Sequence, residues 1–166
     1  MASEEDLKSA RMLAEVADVG VVRIRGGNPG ARSAAERAKS RLWGALEQRV
    51  RIDQPTAGWL DAWSRNRPSW RVRAARLHDD EIFGIDYNTC RRRGLAWVEE
   101  PATPEAYRRC RLAKAALAAL RGEHLSMHWH TLGGHLSEAI PFWEVVAAGV
   151  PGGYAKHPIC RHRRIG

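Results

Sequence analysis

Short β-rich runs alternate with helical patterns along this chain, and the alternation limits the folds that it can adopt. Apolar and β-branched residues predict strands at residues 19–25, 49–53, 81–87 and 95–99. Apolar residues at helical spacing predict helices at 4–16, 33–48, 104–121 and 136–148, with a helical turn at 59–63. Such alternation favours an α/β domain with a mostly parallel sheet.

The length of 166 residues suits one domain with its own core. We divide it into an N-terminal helical segment (1–18), strand–helix units (19–158) and a basic tail (159–166). No apolar run approaches the roughly 20 residues of a membrane helix, so no membrane partner is expected. The N-terminus shows no secretory pattern, and three widely spaced cysteines suit reduced thiols, so we expect a cytoplasmic location.

The net charge of +8 makes anions the expected partners, whether nucleic acids, phosphates or small carboxylates. Most of the basic residues are arginine, and two basic runs, at 91–93 and 161–164, are suited to contacts with phosphate. One hypothesis is therefore that the chain is a basic nucleic-acid-binding or interaction module without catalysis.

A second hypothesis for the function comes from five short motifs in a fixed order. They are DYN at 86–88, GLAWVEEP at 94–101, GEH at 122–124, GG at 133–134 followed by SEA at 137–139, and GVP at 149–151. Together they resemble the metal-binding stretch of the enolase superfamily, in particular its mandelate-racemase-like branch. A complete (β/α)₈ barrel needs about 250 residues. The resemblance therefore implies a contracted or partial (β/α) barrel-like domain, without the family's capping domain.

The resemblance also implies a magnesium site. Its ligands would be Glu99, Glu123 and one aspartate, either Asp86 or Asp53. Asp86 has the closer motif, whereas Asp53 has the closer spacing to the upstream strand. Magnesium prefers oxygen ligands, and in this family it stabilises the enediolate formed when a proton α to a carboxylate is removed. The implied activity is that of a lyase or isomerase, such as a dehydratase, acting on a small hydroxy- or sugar-acid.

The resemblance gives three residues catalytic roles. His157 follows the GVP motif, where members of the family carry a histidine base. Arg23 and Arg25 stand where many members carry two lysines. Arginine stays protonated in proteins, so these two are expected to clamp the substrate carboxylate rather than accept a proton.

Two further expectations concern metal and assembly. Four of the seven histidines lie between His124 and His135, and His124 and His128 have the i,i+4 spacing of a helical zinc site, so zinc is an alternative to magnesium there. A partial barrel exposes sheet edges, and edges are covered or paired in native proteins. We therefore expect a homo-oligomer.

Overall fold

The computed structural model describes residues 2–24, 57–64, 67 and 69–162. The elements in these residues are a mixture of helices and strands, as the sequence predicts, but five strands follow one another between the first two described helices. They are α1 (Glu4–Glu15), β1 (Val22–Arg23), β2 (Ala57–Trp63), β3 (Arg71–Leu77), β4 (Asp80–Cys90), β5 (Leu95–Ala102), α2 (Leu112–Glu123), β6 (His128–Thr131), α3 (Ile140–Ala147) and β7 (Ala155–Lys156). Three short 3₁₀ turns cover Arg91–Arg93, Glu105–Tyr107 and Ser137–Ala139.

The strands form one mixed sheet in the order β1-β2-β3-β4-β5-β6-β7. The expectation of a mostly parallel sheet holds only at its two sides, where β1 pairs with β2 and β5, β6 and β7 pair in parallel. The centre, from β2 to β5, is antiparallel. Short connections such as His78–Asp79 can join only antiparallel neighbours. Within the described ranges, β1 and β7 are the ends of the sheet, so no closed barrel is seen there.

Two of the predicted elements need correction, and one strand was not predicted. Residues 59–63 are strand rather than a helical turn, because Trp59 and Asp61 alternate with less buried neighbours and pair with β3. Strand β3 was not predicted, since its sequence RVRAARL carries three arginines. The helix expected at 104–121 begins only at Leu112, because the chain first forms a 3₁₀ turn and Arg109 and Arg111 take positive φ.

The other predicted elements are either confirmed or fall outside the described residues. The first helix begins with a capping box in which the side chains of Ser3 and Asp6 each accept from the other's backbone N–H. The strands at 81–87 and 95–99 and the helix near 136–148 are present. The helix predicted at 33–48 and the strand at 49–53 lie outside the described residues.

Each face of the sheet has its own apolar cluster. On one face, α1 and α2 pack against β-strand residues such as Phe83, Ile85 and Val98 in the larger cluster. On the other, Trp70, Cys90 and Trp97 form a smaller cluster that the C-terminal residues Ile159 and Cys160 cover. Because both faces are covered, β4 is buried from Ile82 to Asn88. In the described part of the chain, no helix has the length and apolarity that crossing a membrane requires.

Candidate functional site

Two of the predicted metal ligands lie opposite each other on the face of the smaller cluster. Asp86 of β4 and Glu99 of β5 are register partners across an antiparallel pair. Their side chains are only 9% and 15% exposed, respectively. Like charges directly opposite each other destabilise a sheet, and partial burial strengthens the repulsion. A pair of this kind therefore needs a cation.

Arg67 supplies positive charge to both carboxylates. Its Nε lies 3.5 Å from Oδ2 of Asp86, and its Nη2 lies 3.7 Å from Oε2 of Glu99. The guanidinium also lies over the ring of Trp70, 5.4 Å from the ring centroid. Both ion-pair distances are longer than the 2.7–2.9 Å of a charge-assisted hydrogen bond. Arg67 thus brings positive charge to both carboxylates at these distances.

Glu99 lies where parallel strands end. Its Oε1 accepts a hydrogen bond from the backbone N–H of Leu132, directly after β6. The preceding carbonyl, that of Thr131, accepts a 2.8 Å hydrogen bond from the N–H of His157, directly after β7. One peptide group after β6 therefore holds the Glu99 side chain and His157 beside the carboxyl ends of β6 and β7, whereas β5 itself continues to Ala102. Ligand sites in α/β sheets characteristically lie at this edge.

The His157 ring has a defined orientation. Its Nδ1 lies 2.8 Å from the carbonyl oxygen of Pro158. A carbonyl only accepts, so Nδ1 carries the proton and Nε2 of the neutral ring has a free lone pair. The ring lies 4.6 Å from that of His130, centroid to centroid, and Trp97 Nε1 donates to the His157 carbonyl at 3.0 Å. Burial lowers the pKa of His130, which favours the neutral form of that ring.

Glu123, the other predicted ligand, lies on the opposite face of the sheet. Arg73 pairs in register with Ile85, the neighbour of Asp86 on β4, and successive side chains of a strand point to opposite faces. Arg73 Nη1 and Nη2 donate to Glu123 at 3.0 and 2.7 Å, and Arg23 Nη2 lies 3.1 Å from the same carboxylate. The structure therefore places Asp86 and Glu99 together and Glu123 apart from them.

Glu123 belongs to a network centred on Arg73, whose side chain is fully buried. Asp61 accepts from Arg73, from Arg71 and, at 2.6 Å, from the hydroxyl of Tyr87. Burial alone would raise the pKa values of Asp61 and Glu123, but hydrogen bonds and nearby arginine charges hold both below their ordinary values. Burial and then Asp61 raise the pKa of Tyr87. All members are paired, which suits a structural network.

The remaining predicted residues divide into three groups. Arg23 is the partner of Glu123 and is half-exposed, on the face away from Glu99. Arg25 and Asp53 lie outside the described residues. The expected helical pair His124 and His128 is not on one helix, because α2 ends at Glu123 and β6 begins at His128. The His124 ring instead packs near Tyr87 and Trp129.

A cleft opens on the face of the larger cluster. It has a volume of about 960 Å³, and its apolar lining includes Phe83, Tyr107, Phe142 and Trp143. Asp86 and Glu99 are not among its lining residues. The cleft therefore offers apolar space near β4 and β5 but does not contain the carboxylate pair.

The sequence did not lead us to predict the ion pairs of Arg67, Asp61 and Arg73. A signal for the last two existed, because Arg71 and Arg73 alternate with apolar residues in a β-rich segment, as does Asp61. Charged residues at strand spacing beside buried aromatics indicate an internal ion-pair network. Arg67 lies in the connection between β2 and β3, and no motif points to it.

Comparisons with protein-family models, with curated proteins and with solved structures give no match to this chain. The resemblance to the enolase superfamily therefore rests on the five short motifs alone.

Proposed function

We propose that this domain binds a divalent cation between Asp86 and Glu99 and uses the site on a small carboxylate substrate. The observation that carries the proposal is the pairing of two part-buried carboxylates across β4 and β5, with the guanidinium of Arg67 within 4 Å of both. The hydrogen bond of Glu99 to the carboxyl end of β6 supports the same site.

Magnesium is the cation that this donor set fits best. It is a hard ion, and proteins often bind it through one or two carboxylates while it keeps several waters. Asp86 and Glu99 provide two such ligands, so the absence of Glu123 from this face does not exclude binding. When bound, the ion would supply positive charge to a carboxylate whose α-carbon is losing a proton.

His157 is the proposed base. Its Nδ1 is fixed by the Pro158 carbonyl, which leaves Nε2 to accept a proton. Its backbone is tied to Thr131, next to the residue that binds Glu99. Arg67 contacts both carboxylates and is the candidate to bind the substrate carboxylate once the cation takes its place. Arg23, held by Glu123, is not part of this site.

These roles are consistent with a shortened relative of the enolase superfamily with dehydratase- or isomerase-like chemistry. One base suits removal of a proton from a hydroxy- or sugar-acid rather than a two-base racemisation, since arginine is a poor proton acceptor.

The proposal can be tested by proton exchange. Small hydroxy- and sugar-acids are incubated in D₂O with the chain and magnesium, and deuterium at the α-carbon is followed by NMR. We expect exchange in the wild type and none in His157→Gln or Glu99→Gln, with Glu144→Gln, an exposed residue of α3, as the matched control. Exchange that persists in both site variants would overturn the proposal, as would its absence from every acid tested.

A second candidate function, nucleic-acid binding, is supported by one observation. The exposed arginines of the Arg91–Arg93 turn lie near Arg161 and His162 of the tail, so two basic runs far apart in sequence are neighbours in the fold. Binding that weakens steeply with salt, and that weakens further in the triple change of Arg91, Arg92 and Arg93 to glutamine, would favour this function. Binding unaffected by salt or by this change would reject it.

Self-association is also proposed. Leu136, Ile140 and Val145, in and around α3, are exposed apolar side chains, and both ends of the described sheet are two-residue strands. Light scattering should give a dimer mass for the wild type and a lower mass for Val145→Glu. A monomer mass for the wild type would contradict this proposal.

A further inference from the structure

A second group of metal-binding side chains lies at the end of β4, apart from the pair Asp86 and Glu99. Cys90 is the last residue of β4, and Cys160 and His162 belong to the C-terminal tail. One ligand atom from each, two sulfurs and one imidazole nitrogen, lie within 4.8 Å of one another. All three cysteines of the chain are thiols rather than disulfides. The fold thus gathers two thiols and an imidazole from distant parts of the sequence.

We propose that Cys90, Cys160 and His162 form a zinc site that fastens the C-terminal tail to the sheet. Thiolate and imidazole are the ligands that zinc favours, and Cys/His sets are typical of it. Two thiolates balance the charge of the ion, so the bound metal adds no net charge to a strongly basic region. With three protein ligands, a water would complete the tetrahedron. The proposal is independent of the magnesium site.

The distances agree with a site that contracts slightly on binding. Bonds of about 2.3 Å to sulfur and about 2.0 Å to nitrogen, at tetrahedral angles, place ligand atoms roughly 3.5–3.8 Å apart. Cys90 Sγ and His162 Nδ1 are 4.0 Å apart. At that separation a thiol and an imidazole form at best a weak hydrogen bond, whereas as zinc ligands they need only a small approach.

The surroundings give the site both a rigid and an adaptable part. Cys90 is buried with Trp70 and Trp97 in the smaller cluster, so its position is fixed by packing. Cys160 packs at the edge of the same cluster, and residues 157–162, which follow β7, form no helix or strand. Cys160 and His162 can therefore adjust their positions to the buried Cys90. A metal held by all three closes the long loop between Cys90 and Cys160, and such a link stabilises the fold more when the loop is longer.

The experiment uses the full chain, purified under a phosphine reductant and stripped of metal. Zinc sulfate is added, unbound metal is removed by gel filtration, and the bound metal is counted by mass spectrometry. Cobalt(II) chloride then reports the ligands, because thiolate coordination gives an intense charge-transfer band and tetrahedral geometry gives strong visible bands. We expect one metal ion per chain and a cobalt spectrum with both features.

Variants identify the ligands. Cys160→Ser and His162→Asn change tail residues outside the strands, and each should weaken zinc binding by more than the roughly 10–100-fold cost of losing an outer-shell partner. Cys110→Ser is the control, because Cys110 is buried in the larger cluster on the other face. Binding that survives Cys160→Ser, or that Cys110→Ser abolishes equally, would overturn the proposal.

A measurement on the unchanged chain guards against variants that fold poorly. Zinc should protect Cys90 and Cys160 from alkylation by iodoacetamide and leave the rate at Cys110 unchanged. Equal rates at all three thiols with and without zinc would overturn the proposal. A Cys90–Cys160 disulfide that resists the reductant and prevents zinc binding would also overturn it.

Discussion

Asp86 and Glu99 are register partners on β4 and β5, and a single guanidinium, that of Arg67, lies within 4 Å of both carboxylates. Asp86 and Glu99 repel each other, and the positive charge of Arg67 reduces that repulsion. A divalent cation is smaller and more highly charged than a guanidinium, so it can take the place of Arg67. Arg67 and a divalent cation should therefore compete for the same carboxylate oxygens, and that competition makes the site testable.

Replacing Arg67 with glutamine should strengthen magnesium binding. The change removes the competing cation and leaves the two carboxylates facing each other, so we expect the dissociation constant for magnesium to fall roughly tenfold, which is about 1.4 kcal/mol. Isothermal titration with magnesium chloride measures it. Weaker binding in Arg67→Gln than in the wild type would mean that Arg67 does not occupy the cation position.

Removing the buried arginine should destabilise the fold strongly. Arg73→Met leaves Asp61 and Glu123 without the cation that both of them contact, and breaking a buried pair in this way costs about 3–5 kcal/mol. Urea unfolding followed by circular dichroism measures the loss. Arg11→Met, an exposed change on α1, is the control and should stay within about 0.5 kcal/mol. A similar small loss for both variants would show that the network contributes little.

Acid should weaken the same network. The pKa values of Asp61 and Glu123 are lowered in the fold, so their contribution is fully present above the unfolded values near 4 and is lost as pH falls through the lower folded values. The wild-type free energy of unfolding should therefore decline below about pH 4, and Glu123→Gln should show a shallower decline. Parallel declines in the two proteins would contradict the lowered pKa of Glu123.

A glycine in the turn before β7 should tolerate no side chain. At Gly152 φ is +85°, and a Cβ would lie 2.6 Å from the backbone oxygen of Trp129 and 2.8 Å from its nitrogen. Because backbone cannot yield as a flexible side chain does, Gly152→Ala should cost about 1–3 kcal/mol. Gly134→Ala, where a Cβ meets nothing within 4 Å, is the matched control. Equal thermal midpoints for the two variants would contradict the close approach.

The sequence predicted the local elements better than their assembly. Helix α1 and strands β4 and β5 follow from apolar residues at helical spacing and from β-rich patterns, which depend on near neighbours. The antiparallel centre was missed because β3 carries arginines at 71, 73 and 76, which lowers its apolar signal, although Arg73 is buried by pairing with Asp61 and Glu123. Burial of a charge depends on partners far along the chain, and a local pattern does not reveal it.

For the candidate site, too, the sequence predicted individual residues better than their arrangement. The motifs selected Asp86, Glu99 and His157. The fold pairs Asp86 with Glu99 within β4 and β5 and places Glu99 and His157 beside the carboxyl end of β6. They also selected Glu123, which ends α2 and turns to the other face to meet Arg73 and Arg23. Which face a strand or helix end presents depends on register and packing across the sheet. For the same reason, the proximity of Cys90 to Cys160 and His162 could not be predicted from spacing.

The most direct measurement of the magnesium site is thermal unfolding of chain stripped with EDTA and dialysed, with and without excess magnesium. It compares the wild type with Glu99→Gln and with Glu123→Gln, whose carboxylate lies on the opposite face. At 100 times the dissociation constant, the ion adds about 2.7 kcal/mol and should raise the wild-type midpoint by roughly 5–10 °C. We expect the rise to vanish in Glu99→Gln and to persist in Glu123→Gln. No rise in the wild type, or an equal rise in Glu99→Gln, would contradict a magnesium site between Asp86 and Glu99.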